Sequence, residues 1–141
     1  GFISNFFRGE EEARVRKAYS TLEELEITHM AHNLTSELSG GQSKLVDIGR
    51  ALMGEPDLLL LDEPVAGVAG PLAEKIFNNL RNIVSQTGIS ILVIEHNMDF
   101  ILRRGVDRII VMDQGKVLMQ GTPDEVKDSK EVIEAYLGGA G

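Results

Sequence analysis

Residues 38–64 read LSGGQSKLVDIGRALMGEPDLLLLDEP, and the fold is decided there. Ser39 is a strong helix N-cap, and Gln42 stands where the second half of a capping box belongs. Leu45, Ile48, Ala51 and Leu52 recur at helical spacing until Gly54 and Pro56 stop the helix. The leucines at 58–61 then predict a short, fully buried strand ending in Asp62-Glu63-Pro64.

Downstream, Pro71 opens a helix as a first-turn proline, with Leu72, Ile76, Leu80 and Ile83 as its inner stripe and Gly88 as its stop. Residues 89–94 predict a second buried strand, ending at Glu95-His96. A short helix over 98–104 follows, then strands over 108–112 and 117–120 about a turn at Asp113-Gln114-Gly115-Lys116. Thr122-Pro123-Asp124-Glu125 is a second capping box, and a last helix runs from about 130 to 137. Upstream, residues 10–27 predict an amphipathic helix with Val15, Ala18, Leu22 and Leu25 inward. His29 and His32 have the spacing to share a helix face, but no third ligand is near in sequence, and a polar connection is the plainer reading. Strand–helix–strand with buried strands predicts a parallel α/β layer, to which the hairpin adds antiparallel strands.

The 141 residues give room for one domain. Lys and Arg number 14 against 22 Asp and Glu, a net charge of −8 that argues against nucleic-acid and anionic-membrane surfaces. With no cysteine, disulfides, thiolate zinc sites, iron–sulfur clusters and cysteine nucleophiles are excluded. The aliphatic runs at 58–61 and 91–94 fall far short of the ~20 residues a membrane helix needs. The chain begins Gly1-Phe2-Ile3 rather than with Met, as a cut or processed piece would.

Ligands of open α/β sheets gather at the carboxyl ends of the strands, where Asp62, Glu63 and His96 are expected. Adjacent carboxylates repel, so they need a cation or separate roles. Strand alternation sends the two to opposite sides. A Mg²⁺ at one carboxylate with a water at the other suits phosphoryl transfer, although helix-capping acids are the plainer reading of Asp-Glu alone. Ser39-Gly40-Gly41 feeds a helix N-terminus whose amides and dipole suit a phosphate, or it is a plain flexible cap. A lone histidine such as His96 is by default a satisfied core residue.

Taken together, residues 38–64 resemble the ATP-binding cassette (ABC) ATPases. LSGGQ is similar to their signature motif and LLLLDEP to their Walker B strand with its catalytic glutamate, while His96 matches their switch histidine. The resemblance runs from about residue 14 to 138. Ile94-Glu95-His96-Asn97-Met98, Gly121-Thr122-Pro123 and Val132-Ile133-Glu134-Ala135-Tyr136-Leu137-Gly138 narrow it to the ATP-binding subunits of branched-chain amino-acid importers, with urea and amide importers similar at the tail. The resemblance implies a partial P-loop NTPase fold, with residues 1–54 part of the helical subdomain and 55–141 the C-terminal part of the RecA-like core. It implies that Asp62 helps hold Mg²⁺ largely through water, Glu63 acts as general base or orients the attacking water, and His96 contacts the γ-phosphate. It implies that Ser39, Gly40, Gly41 and Gln42 bind the γ-phosphate of ATP held on a second subunit in a head-to-tail dimer, Gln42 with a structural role as the alternative. Membrane permease partners and a cytoplasmic, membrane-peripheral location follow from the same resemblance.

Two departures stand out. A P-loop, G-x-x-x-x-G-K-[ST], is absent: the only Gly-Lys pair is Gly115-Lys116, with Val117 after it and Ile110 at the first glycine position. The chain therefore reads as the C-terminal half of such an ATPase, inactive by itself. Within Val65-Ala66-Gly67-Val68-Ala69-Gly70-Pro71, Ala69 stands where the family carries Asp or Asn. A DNA-repair or chromosome ATPase would flank the signature with heptads, which are missing before Leu38. A non-catalytic half-domain would expose a sheet edge and face and self-associate to cover them.

Overall fold

The computed structural model describes residues 2–138, with side chains over 8–135, so Tyr136 and Leu137 fall outside the described side chains. It divides into two compact units, Gly1–Ile94 and Glu95–Gly141.

The first unit runs α1 (Phe2–Glu24), two single-turn 3-10 helices (Thr28–Met30 and Thr35–Glu37), α2 (Gly40–Leu52), β1 (Leu58–Asp62), α3 (Gly70–Thr87) and β2 (Ser90–Ile94). β1 and β2 pair in parallel, Leu58 opposite Ser90 and Asp62 opposite Ile94, with α3 as the crossover. The α2 boundaries follow the sequence signals. Ser39 caps its start, with the Ser39 Oγ accepting from the Gln42 amide at 3.3 Å and the Gln42 Oε1 accepting from the Ser39 amide at 2.8 Å. α3 ends at Gly88, whose φ of 73° is the left-handed C-cap conformation that glycine adopts without a Cβ clash.

One core joins these elements: Leu25, Ile27, Leu45, Ile48, Leu59, Ile76, Leu80, Ile83 and Ile89. Asn79 is buried at 3% exposure, and its Nδ2 donates to the Leu25 carbonyl at 3.0 Å, so the one polar side chain of that stripe satisfies the end of α1. Lys17 of α1 also pairs with Glu55, whose carboxyl is held below the usual range by that hydrogen bond and charge.

The strands are not fully buried, contrary to the expectation from their aliphatic runs. Leu59 is buried and Leu61 partly so, but Leu58 and Leu60 are 53% and 65% exposed, and Leu92 and Ile94 on β2 are 52% and 59% exposed. The inward leucines meet α2 and α3 residues, whereas the opposite sheet face is bare among the described residues. α1 departs as well: Val15, expected inward, is 46% exposed. It is the end of α1 that is buried, where a Cβ on Gly49 of α2 would stand 3.1 Å from Leu25 and 3.6 Å from Thr21.

The second unit holds α4 (Met98–Leu102), shorter than expected, β3 (Ile109–Asp113), β4 (Lys116–Gly121), α5 (Pro123–Lys127) and α6 (Lys130–Gly138). β3 and β4 form the expected antiparallel hairpin, with Gln114 and Gly115 both at positive φ (45° and 78°), as a two-residue turn of the right twist requires. Ile109, Val111, Val126 and Val132 are its core. Among the described residues no helix is long and apolar enough to cross a membrane.

Candidate functional site

The first unit brings together most of the residues expected to carry chemistry. Ser39, Gly40, Gly41 and Gln42 form the α2 N-terminus, whose first amides lie ahead of the helical ladder and face an anion favourably. The two glycines differ. A Cβ on Gly40 would meet nothing within 4 Å, so this backbone is open to a ligand. A Cβ on Gly41 would overlap Leu72 Cδ2 and stand 3.3 Å from Val68 Cγ1, so this glycine lets α2 close onto the start of α3. Gln42 is occupied by the cap, its side-chain oxygen already accepting from Ser39.

Asp62 is exposed at the carboxyl end of β1, and Glu63, partly buried, follows it. Strand alternation does not separate them as expected, because Glu63 leaves the strand with φ 45°. A left-handed backbone at a non-glycine residue costs about 1–2 kcal/mol and persists only where the surroundings fix it. Here the Glu63 amide donates to the Ile94 carbonyl at 2.9 Å, and its carbonyl accepts from the Ala66 amide at 3.1 Å and from Lys44 Nζ at 3.1 Å.

The Lys44 contact was missed in the sequence. Its signal lies in the helical period: Gly41, Lys44, Leu45 and Ile48 share one face of α2, which is otherwise buried, so a lysine there needs an acceptor at the end of β1.

His96 lies in the second unit, exposed, one residue before Asn97, the N-cap of α4 whose Oδ1 accepts from the Phe100 amide at 2.9 Å. Among the described residues no three His, Asp or Glu side chains gather to hold a metal ion, and the His32 Nε2 lies 3.1 Å from the Tyr19 hydroxyl. A groove of about 870 Å³ includes Lys17, Thr21, Glu55 and Ile83 in its lining but none of Ser39, Gly40, Gly41, Gln42, Asp62, Glu63 and His96.

Residues 3–66 match the ABC transporter family, and residues 116–141 match the branched-chain amino acid ATP-binding cassette transporter family. The chain belongs to the ABC transporter family. It is 42% identical over 132 residues to a probable branched-chain amino acid transport ATP-binding protein, LivG, of Methanocaldococcus jannaschii, covering 91% of this chain and 51% of that protein. It is 38% identical over 132 residues to the lipopolysaccharide export system ATP-binding protein LptB of Haemophilus influenzae, covering 89% of this chain and 51% of that one. The crystal structure of the ADP conformation of an ATP-binding cassette of an ABC transporter superposes with a TM-score of 0.79 at 41% identity, covering 89% of this chain and 50% of that one. The ABC chain described here thus spans about half the length of the relatives it matches, and its partial α/β cassette fold agrees with theirs.

Proposed function

We propose that this ABC chain is the C-terminal part of a transporter ATP-binding subunit, which couples ATP binding and hydrolysis to import of a small nutrient, branched-chain amino acids being the favoured cargo. The observation that carries the proposal is the single unit in which an open, capped Ser39-Gly40 helix start and the Asp62-Glu63 strand end are held by one core. Residues 1–54 would contribute the helical subdomain and 55–141 the ATPase core. The match over residues 116–141 supports the amino-acid cargo, and the likeness to an export protein fits a cargo choice made outside these elements.

In the whole protein, Ser39 Oγ and the amides of Gly40 and Gly41 would meet the γ-phosphate of ATP on the opposite subunit of a head-to-tail dimer. Gln42 would act there by holding Ser39 in place. Asp62, one exposed carboxylate at a strand end, fits a Mg²⁺ that keeps most of its waters and shares its remaining ligands with phosphate. The cation would neutralise charge developing on the transferred phosphoryl oxygens. Glu63 would take or orient the proton of the attacking water, and His96 would contact the γ-phosphate. Docking on permease subunits would place the assembly at the cytoplasmic face of the membrane.

The chain alone is expected to hydrolyse no ATP, for want of a P-loop. Joined to a P-loop half from a relative, it should gain Mg²⁺-dependent hydrolysis that Glu63→Gln lowers by at least about a hundredfold, the scale of losing a general base. Robust turnover by the 141-residue chain alone, abolished by Glu63→Gln, would overturn the proposal. The bare face at Leu58, Leu60, Leu92 and Ile94 favours a second reading of the isolated chain, as a half-domain that self-associates.

A further inference from the structure

Lys44 stands on α2, five residues after the Ser39 cap, and reaches the carbonyl of the one residue between β1 and the following turn that is forced into the left-handed region. Three hydrogen bonds converge on the Glu63 backbone. Two come from its own neighbourhood, the Ile94 carbonyl on the paired strand and the Ala66 amide in the turn. The third, from Lys44, comes from helix α2 and is the only one of the three that brings a formal charge. The same helix start is locked to the segment after Glu63 by Gly41, which packs without a side chain against Leu72 and Val68.

We infer that Lys44 is a positioning residue: it holds the Glu63 backbone in its left-handed turn and ties that turn to the helix that begins at Ser39, so that the phosphate-facing end of α2 and the Glu63 carboxylate move as one piece. A carboxylate on a strained turn has neighbouring backbone states within reach, and each re-aims the side chain. Removing a charged donor from the turn makes those states more accessible. Arginine at position 44 keeps a charged donor at the carbonyl, whereas methionine keeps the stem and loses the donor. The structural half of the inference stands on the hydrogen bonds alone, and its catalytic consequence rests on the hydrolase reading above.

The test begins with amide hydrogen exchange in the 141-residue chain. Lys44→Met should speed exchange at the Glu63 amide about tenfold, the effect of losing one charge-assisted bond, while Lys44→Arg stays within about threefold of the parent. Amides of Ile48 and Leu80 in the same core should change by less than about twofold in either variant. Unchanged exchange at Glu63, or an equal rise at Glu63, Ile48 and Leu80, overturns the inference, the latter because it reports general loosening. In the complete ATP-binding subunit, Lys44→Met should lower kcat about tenfold with KM for ATP within about twofold, and Lys44→Arg should restore kcat. A rise in KM with kcat intact overturns the positioning role. If exchange responds as expected but the unsubstituted complete subunit hydrolyses no ATP, the tether stands and the hydrolase reading falls.

Discussion

Two adjacent glycines in the signature stretch, identical in type, answer to different physics. Gly40 borders open space, whereas Gly41 is buried against Leu72 and Val68. Alanine at 41 must push Leu72 aside, an overpacking cost of about 1–3 kcal/mol, of which up to about 1 kcal/mol is returned by the better helix propensity of alanine. Gly41→Ala is therefore expected to be less stable than Gly40→Ala by about 1–3 kcal/mol in urea denaturation, because the propensity gain is common to both and the overpacking is not. Equal midpoints for the two variants would show that α2 and α3 do not approach as described. The roles of such residues were only partly legible. Ser39 and Gln42 announced their mutual cap by type and spacing, since both partners lie within one helical turn. The contact of Lys44 with Glu63 and that of Gly41 with Leu72 join elements separated by a strand or a loop, and a side chain's partner across that distance is set by packing, which spacing along the chain does not encode.

The elements themselves were read well where they carry their own punctuation. α2, α3 and α5 start and stop at residues whose backbone chemistry compels it, among them Ser39, Gly88 and Thr122. Burial was read less well: four leucines in a row specify a strand but are silent on which face is covered, so Leu58 and Leu60 were expected inside and lie outside. Ala69 shows an element lacking its own cap. It has the N-cap conformation of α3, φ −60° and ψ 143°, yet offers no side-chain acceptor to the first turn. Ala69→Asp should supply one and raise stability by about 1 kcal/mol at neutral pH, read as an upward shift of the thermal midpoint, with no gain counting against a vacant cap. At α5 the cap is complete and titrates. The Glu125 carboxyl is held below the usual range first by the Thr122 amide, at 2.7 Å, and then by the Thr122 hydroxyl, with the Arg108 charge assisting. A depressed folded-state value means that the carboxylate favours the folded form above the ordinary carboxylate range and loses that effect as pH falls through its lowered value. Glu125→Gln should therefore flatten the acid limb of stability, and identical acid limbs in the two proteins would refute the linkage.

For the whole molecule, the sheet of the first unit is two strands wide and covered on one face. Leu58, Leu60, Leu92 and Ile94 make a contiguous apolar surface through the β1–β2 register, and a surface of that kind on a chain with a net charge of −8 associates once apolar gain exceeds charge repulsion. The isolated chain should show concentration-dependent sedimentation, strengthened by added salt and abolished by combining Leu60→Lys with Leu92→Lys. A strict monomer at high concentration would remove the half-domain reading. The parallel register carries a consequence for synthesis as well. Leu58 pairs with Ser90, roughly thirty residues later in the chain, so at ordinary ribosomal speed β1 waits on the order of 2–6 s for its neighbour. During that interval its leucines have only α2 and the core residues Leu25 and Ile27 to lean on, and Leu59, which faces the helix side, is protected before Leu60 is. The nascent chain is thus most exposed to chaperones, and to other nascent chains, while α3 is still being translated.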